Sequence, residues 1–232
     1  MRMLLILLFV SNFCFGQYLG GQEINEANLS SWETKFEVEY TGIYHFGESE
    51  SESDFHLFFS GDYIIGQIIT GYWEKNTGAW KNKYITLTNI KIDKVGKFSS
   101  DQHTGKFIMY KNTSGKIFKG LKIDNPWTGW IENSKFEIGT RTKLNFKNIY
   151  AGKYRRASFV KLSANELQYM NSTALKIMRN EIFARYGYTF IKNGKMDTYF
   201  RKQDWYRPQH KNVTPFLTEI EIYNINLIKG LE

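Results

Sequence analysis

Cysteine is almost missing from this chain of 232 residues. The only one is Cys14, so nothing beyond it can form a disulfide, act as a thiolate nucleophile or contribute a cysteine ligand to a metal. Stability must come from packing. Also missing are the spacings that announce common chemistries: there is no Gly-x-Ser-x-Gly, no His-Glu-x-x-His, no phosphate loop and no dinucleotide fingerprint. The four histidines show no ligand spacing, so no metal or other cofactor is expected. The basic residues form no recognised nucleic-acid reader, and no nucleic-acid partner is expected. Catalytic carboxylates remain open as an alternative, a glycan- or peptidoglycan-processing hydrolase, but the sequence selects no pair among its 23 acids.

Long apolar runs are scarce too. The single one, Met3 to Val10, follows Arg2 and precedes Gly16-Gln17. It is too short for a transmembrane helix and reads as a signal peptide over residues 1–16. Bulky Phe13 before Cys14 disfavours lipid attachment there. The expectation is an exported protein, periplasmic or extracellular, with no transmembrane segment.

Charge is unevenly spread. Residues 17–62 carry ten Asp or Glu against one Lys, residues 63–150 carry fifteen Lys or Arg against six acids, and residues 151–232 carry fourteen against seven. The first two blocks cancel if they belong to one domain, because opposite charges on facing strand positions stabilise a sheet. The excess in the last block fits either a solvated basic surface or an anionic partner.

From Phe36 to Lys147 the vocabulary is that of strands. FEVEYTGIY alternates Phe36, Val38 and Tyr40 with Glu37 and Glu39, and KYITLTNIKID, IFKGLKID and TKLNFKN follow, separated by turn signals such as Asn76-Thr77-Gly78. An antiparallel sandwich or barrel is expected over 17–150. Trp73, Trp80, Trp127 and Trp130 suit core or cross-strand positions better than a ligand cleft. Glu48, Glu50, Glu52 and Asp54 would share one face if extended, but the serine-rich run reads as a hairpin tip.

Residues 151–159, AGKYRRASF, have neither period and are expected to link two domains. Helix signals follow: a capping box at Ser163–Glu166, a cap at Ser172, and a stripe of Leu175, Met178, Ile182 and Tyr186. Gly187 should stop that helix. A short helix is expected over 196–202, then a capping box at Thr218–Glu221 opening a helix with Ile222, Ile225 and Ile228 on one side. The fold class is therefore α+β: an antiparallel β domain, then a small, mainly helical domain over 160–232.

The run MRNEIFARYGYTF, the spaced KMDTYFRKQDWY and the closing EIEIYNINLIKGLE together resemble the YARHG domain, a module of exported bacterial proteins. The resemblance covers about residues 160–232 and implies no reaction. The signature here is Phe183-Ala184-Arg185-Tyr186-Gly187, so its Tyr and His positions hold Phe and Tyr. A group titrating near neutrality is thereby lost at Tyr186. Two accounts of the dense segment follow. In the structural one, Glu181 pairs with Arg185, Arg185 and Asp197 tie the helix to the next segment, Phe183 and Trp205 join a small core, and Gly187 caps. In the functional one, Arg179, Arg185, Tyr186, Trp205 and Tyr206 face a groove and bind an anionic envelope glycan or peptidoglycan. The reading is a non-catalytic binding or scaffolding module of the cell envelope.

Overall fold

The computed structural model describes residues 17–19, 22–112, 114–128 and 135–232. The expected leader with Cys14, and Trp130, lie outside the described residues.

Two short strands, β1 (Gln17–Leu19) and β2 (Gln22–Ile24), pair with each other. Ten more form one antiparallel sheet: β3 (Leu29–Ser31), β4 (Gly42–Phe46), β5 (Ser53–Ser60), β6 (Tyr63–Trp73), β7 (Trp80–Thr86), β8 (Lys91–Ile92), β9 (Lys97–Ser99), β10 (Thr104–Lys111), β11 (Ile117–Ile123) and β12 (Glu137–Thr142). The order is β7, β6, β5, β4, β12, β11, β10, β9, β8, with β3 added to β10. Five helices come after it: α1 (Phe146–Ile149), α2 (Ala164–Leu167), α3 (Ser172–Arg185), α4 (Lys195–Phe200) and α5 (Glu219–Leu231). The fold is α+β.

The sheet curls round one aromatic core. Phe55 on β5 and Phe98 on β9 are well apart in strand order, yet their ring centroids lie 5.7 Å apart. Tyr40 stacks on Phe107 at 4.2 Å, and its hydroxyl donates to the Trp32 carbonyl at 2.8 Å, so a buried polar atom is satisfied inside the apolar cluster. Charge complementarity between the acidic and basic blocks appears where Lys122 reaches Glu26 at 2.7 Å.

Residues 36–40 depart from the expected strand. Glu37–Tyr40 form a 3-10 turn, because the Glu39 carboxylate accepts the Phe36 N–H at 2.9 Å and turns the chain back on itself. Tyr40 is buried, while Phe36 and Val38 are more than half exposed. The acidic run forms the turn between β4 and β5, with Glu48, Glu50 and Glu52 exposed and Asp54 paired across strands to His45 at 2.8 Å.

Residues 151–159, expected as a linker, are instead packed: Ala157 and Ser158 are fully buried. Ser163 and Thr218 both form capping boxes, while α3 is capped by Asn171 accepting from the Ala174 N–H, one residue before the expected Ser172. Leu175, Met178, Ile182 and Tyr186 are buried along α3. On α5 the buried face is Ile220, Glu221, Asn224 and Ile228, and Ile222 is 45% exposed. The expected stripe of Ile222, Ile225 and Ile228 is therefore rotated, because two polar side chains take core positions. Asn224 can do so because it donates to the Ala157 and Val160 carbonyls, both at 2.8 Å, and accepts from the Leu162 N–H at 2.9 Å.

Candidate functional site

The last turn of α3 places three consecutive signature residues against three different parts of the molecule. Arg185 faces the 151–158 segment. Its Nε donates to the Ala151 carbonyl at 2.8 Å, its Nη1 to the Ser158 hydroxyl at 2.7 Å, and its Nη2 to Glu181, four residues earlier on the same helix. Glu181 in turn accepts the N–H groups of Lys153 and Tyr154. Both side chains are removed from water, at 7% and 1% exposure. Burial lowers the Arg185 pKa and raises that of Glu181, and each charge opposes the shift of the other. Each guanidinium nitrogen thus has a partner, and the expected tie between Arg185 and Asp197 does not form. Asp197 accepts from Arg201 at 2.8 Å and from the Asn193 N–H at 3.0 Å, partners within or beside its own short helix.

Tyr186 points to the sheet. Its hydroxyl donates to Glu221 Oε2 at 2.7 Å and accepts from Gln67 Nε2 at 3.2 Å, and Gln67 also donates to the Phe216 carbonyl at 2.7 Å. Its ring meets Tyr84 on β7 edge to face at 4.7 Å. Glu221 Oε2 closes the capping box by accepting the Thr218 N–H at 3.0 Å, whereas Glu221 Oε1 is buried without a hydrogen bond. Burial raises the Glu221 pKa, opposed by the neighbouring Ser158 and Tyr186 hydroxyls, the Thr218 N–H and the charge of Arg185.

Gly187 turns the chain. Its φ of +70° is left-handed, and a Cβ would stand 2.7 Å from the Arg207 carbonyl oxygen. The Gly187 carbonyl accepts the N–H groups of Gln209 and His210 at 2.7 and 2.9 Å. Those two side chains reach β7: Gln209 Oε1 accepts the Asn82 N–H at 3.0 Å, and His210 Nε2 donates to the Asn82 carbonyl at 2.9 Å. Replacing Gly187 by Val is expected to cost on the order of 1–3 kcal/mol for the backbone conformation alone, with the contact to Arg207 adding to it. A urea titration of the variant checks this, and an unchanged midpoint would refute it.

Between sheet and helices lies a cavity of about 240 Å³ walled by His56, Gln67, Ile69, Tyr84 and Asp54 from the sheet, and by Ile149, Tyr150, Arg185, Tyr186 and Glu221 from the other side. Burial pushes the His56 pKa down to about 4, against the pull of Asp54, so the imidazole is neutral at pH 7.

Of the residues expected to line a groove, the structure brings Arg185 and Tyr186 to this cavity but buries both. Arg179 is engaged bidentately by Glu232, at 2.5 and 3.0 Å. Tyr206 is buried, donating to the Tyr188 carbonyl at 2.6 Å, and Trp205 packs with Phe183, Tyr199 and Phe200 in a second small core. The residues missed from sequence are His56, Gln67, Tyr84, Tyr150 and Glu221. Gln67 carried a signal, a lone amide inside the apolar run IIGQII. Glu221 carries one only as the closing residue of a capping box, which announces a helix start and says nothing of burial.

No curated protein and no solved structure matches the chain. Among the described residues, no helix is long and apolar enough to cross a membrane. The family model of the YARHG domain, typical of exported proteins, matches residues 154–232, the C-terminal third of the chain, and takes in Arg185, Tyr186, Gly187, the Gln209–His210 turn and Glu221.

Proposed function

We propose that the protein is a non-catalytic glycan-binding module of the bacterial cell envelope, periplasmic or extracellular, in which residues 17–150 supply the floor of a cleft and, through Ile149 and Tyr150, part of its wall, and the YARHG-like region, residues 160–232, supplies the rest of the wall. The observation that carries this reading is the cavity at their junction, lined by Glu221, one of whose carboxylate oxygens is buried without a hydrogen bond. Such an oxygen costs stability until a donor reaches it, and sugar hydroxyls and amides are donors. Of the ligand forms expected from sequence, the geometry favours a glycan over an anionic polymer, because Arg179 and Arg185 already hold carboxylates. The test is retention of the full chain on purified peptidoglycan and on neutral and anionic polysaccharides at low and high salt. Retention that survives salt is expected. Binding confined to the anionic polymers and abolished by salt would overturn the cleft reading.

One observation favours the second reading, hydrolysis: Asp54 and Glu221 line the same cavity in different surroundings, one half-exposed and the other buried with a raised pKa. Release of reducing ends from a retained glycan, lost in both Asp54→Asn and Glu221→Gln, would establish it. Retention without release leaves binding.

A further inference from the structure

The cavity does not end at the junction. A second groove of about 170 Å³ shares Asp54 and Ile69 with it and runs on to Gly71 and Trp80. The register explains the continuity: Asp54, Ile69 and Tyr84 are cross-strand partners on β5, β6 and β7, and Gly71 and Trp73 follow Ile69 at two-residue steps on the same face. The helices cover one half of this face, where Phe58 and Ile65 pack with Tyr150 and Ile220, and leave the other half as the groove. At its outer end Trp80 lies over Gly71, where a Cβ would fall 2.2 Å from the indole. Trp73 meets Trp80 edge to face at 5.2 Å, and the two are 54% and 37% exposed. The inner cavity alone is below the roughly 300–1,000 Å³ of ordinary ligand pockets, and the two joined fall within that range.

We propose that this cleft binds a polysaccharide bearing free amino groups, with an ammonium at Glu221 in the inner cavity and a neighbouring sugar ring against Trp80 and Trp73. The proposal rests on the cleft reading above and names its ligand class. Three features select a cation. Glu221 Oε1 is a buried carboxylate oxygen with no hydrogen bond. The rings of Tyr84, Tyr150 and Tyr186 line the same cavity, and aromatic faces attract ammonium groups. Arg185 is the one cation in the wall and Glu181, behind it, already pairs with it; Asp54 is bonded to His45, and Glu221 adds a carboxylate with no cation bonded to it. His56 adds no positive charge at pH 7. The outer end is built differently, with the indole of Trp80 in its wall, Trp73 beside it and no arginine, which suits the apolar face of a sugar ring.

The experiment is calorimetric titration of the full chain with a glucosamine tetramer and with its fully N-acetylated counterpart. The amine form is expected to bind at least about tenfold tighter, a difference of about 1.4 kcal/mol. Glu221→Gln preserves an oxygen for Thr218 and Tyr186 but puts an amide donor where Oε1 stood, and it should bring the two affinities within about twofold. Trp80→Ala should weaken both oligomers without altering their ratio. Equal binding of the two by the unaltered chain overturns the amine proposal and leaves the cleft standing, whereas binding of neither overturns the cleft as well. A urea titration of Glu221→Gln establishes that the variant is folded, and the preference of the unaltered chain tests the proposal whether or not it is.

Discussion

Replacing Arg185 by alanine is expected to lower stability by about 3–5 kcal/mol, the usual result of removing one member of a buried ion pair. The guanidinium holds three acceptors that are far apart in sequence: Ala151, Ser158 and Glu181. Without it, Glu181 would sit at 1% exposure with two backbone N–H donors and no cation. The loss should appear as a lower denaturant midpoint and as protease sensitivity between Ala151 and Ser158, because that segment is fastened by the same pair. Lysine should rescue little, since a point ammonium cannot reproduce the planar fork. An unchanged midpoint in Arg185→Ala would show that the pair contributes nothing net and would undo the structural account of the signature arginine.

The second large effect concerns pH. His56 titrates at about 4 in the folded chain, below the usual 6.5 of an exposed imidazole, because burial disfavours its charged form. Between those two values the unfolded chain binds a proton that the folded chain does not. The contribution of His56 is therefore fully present above pH 6.5, is lost as pH falls toward 4, and changes no further below that. The size is about 3 kcal/mol. Glu181 and Glu221 act in the opposite sense. Burial raises both, so their contribution is present below the ordinary carboxylate range and lost as pH rises. The His56 part is isolated by comparing the unaltered chain with His56→Gln in urea titrations from pH 7.5 to 4. The difference between them should shrink by about that amount on acidification. A constant difference would mean that His56 is solvated.

Much of this was legible in the chain. Strand vocabulary, turn signals and capping boxes are local, and they gave the order of β region and helices, the boxes at Ser163 and Thr218 and the stop at Gly187. What failed was what depends on partners distant in sequence. The alternation of Phe36, Val38 and Tyr40 matches a strand as well as it matches a turn, and the Glu39 carboxylate that decides between them reads as a solvent-facing acid. On α5, hydrophobicity assigned the core to isoleucines, but Glu221 and Asn224 go inside because Tyr186, Ala157 and Val160 await them with hydrogen bonds. The density of residues 180–206 was visible as density. Its division among three contacts, Arg185 inward to its own domain, Tyr186 to the sheet and Gly187 to the 207–210 turn, required knowing that β5, β6 and β7 lie beneath it.

The turn carrying Gln209 and His210 has a consequence for how partners can approach. β7 ends the strand order, and an end strand offers a row of unpaired backbone groups on which another extended chain can grow. At Asn82 both of those groups are occupied, the N–H by a glutamine oxygen and the carbonyl by an imidazole nitrogen. Two side chains thus imitate the peptide group of a neighbour that is not there. Strand addition, a common way for peptides to dock on sheets and for sheets to aggregate, is blocked at that point. A ligand for β5 to β7 must come to their face rather than their border, and truncating the chain before Gly187 would unmask a template for self-association.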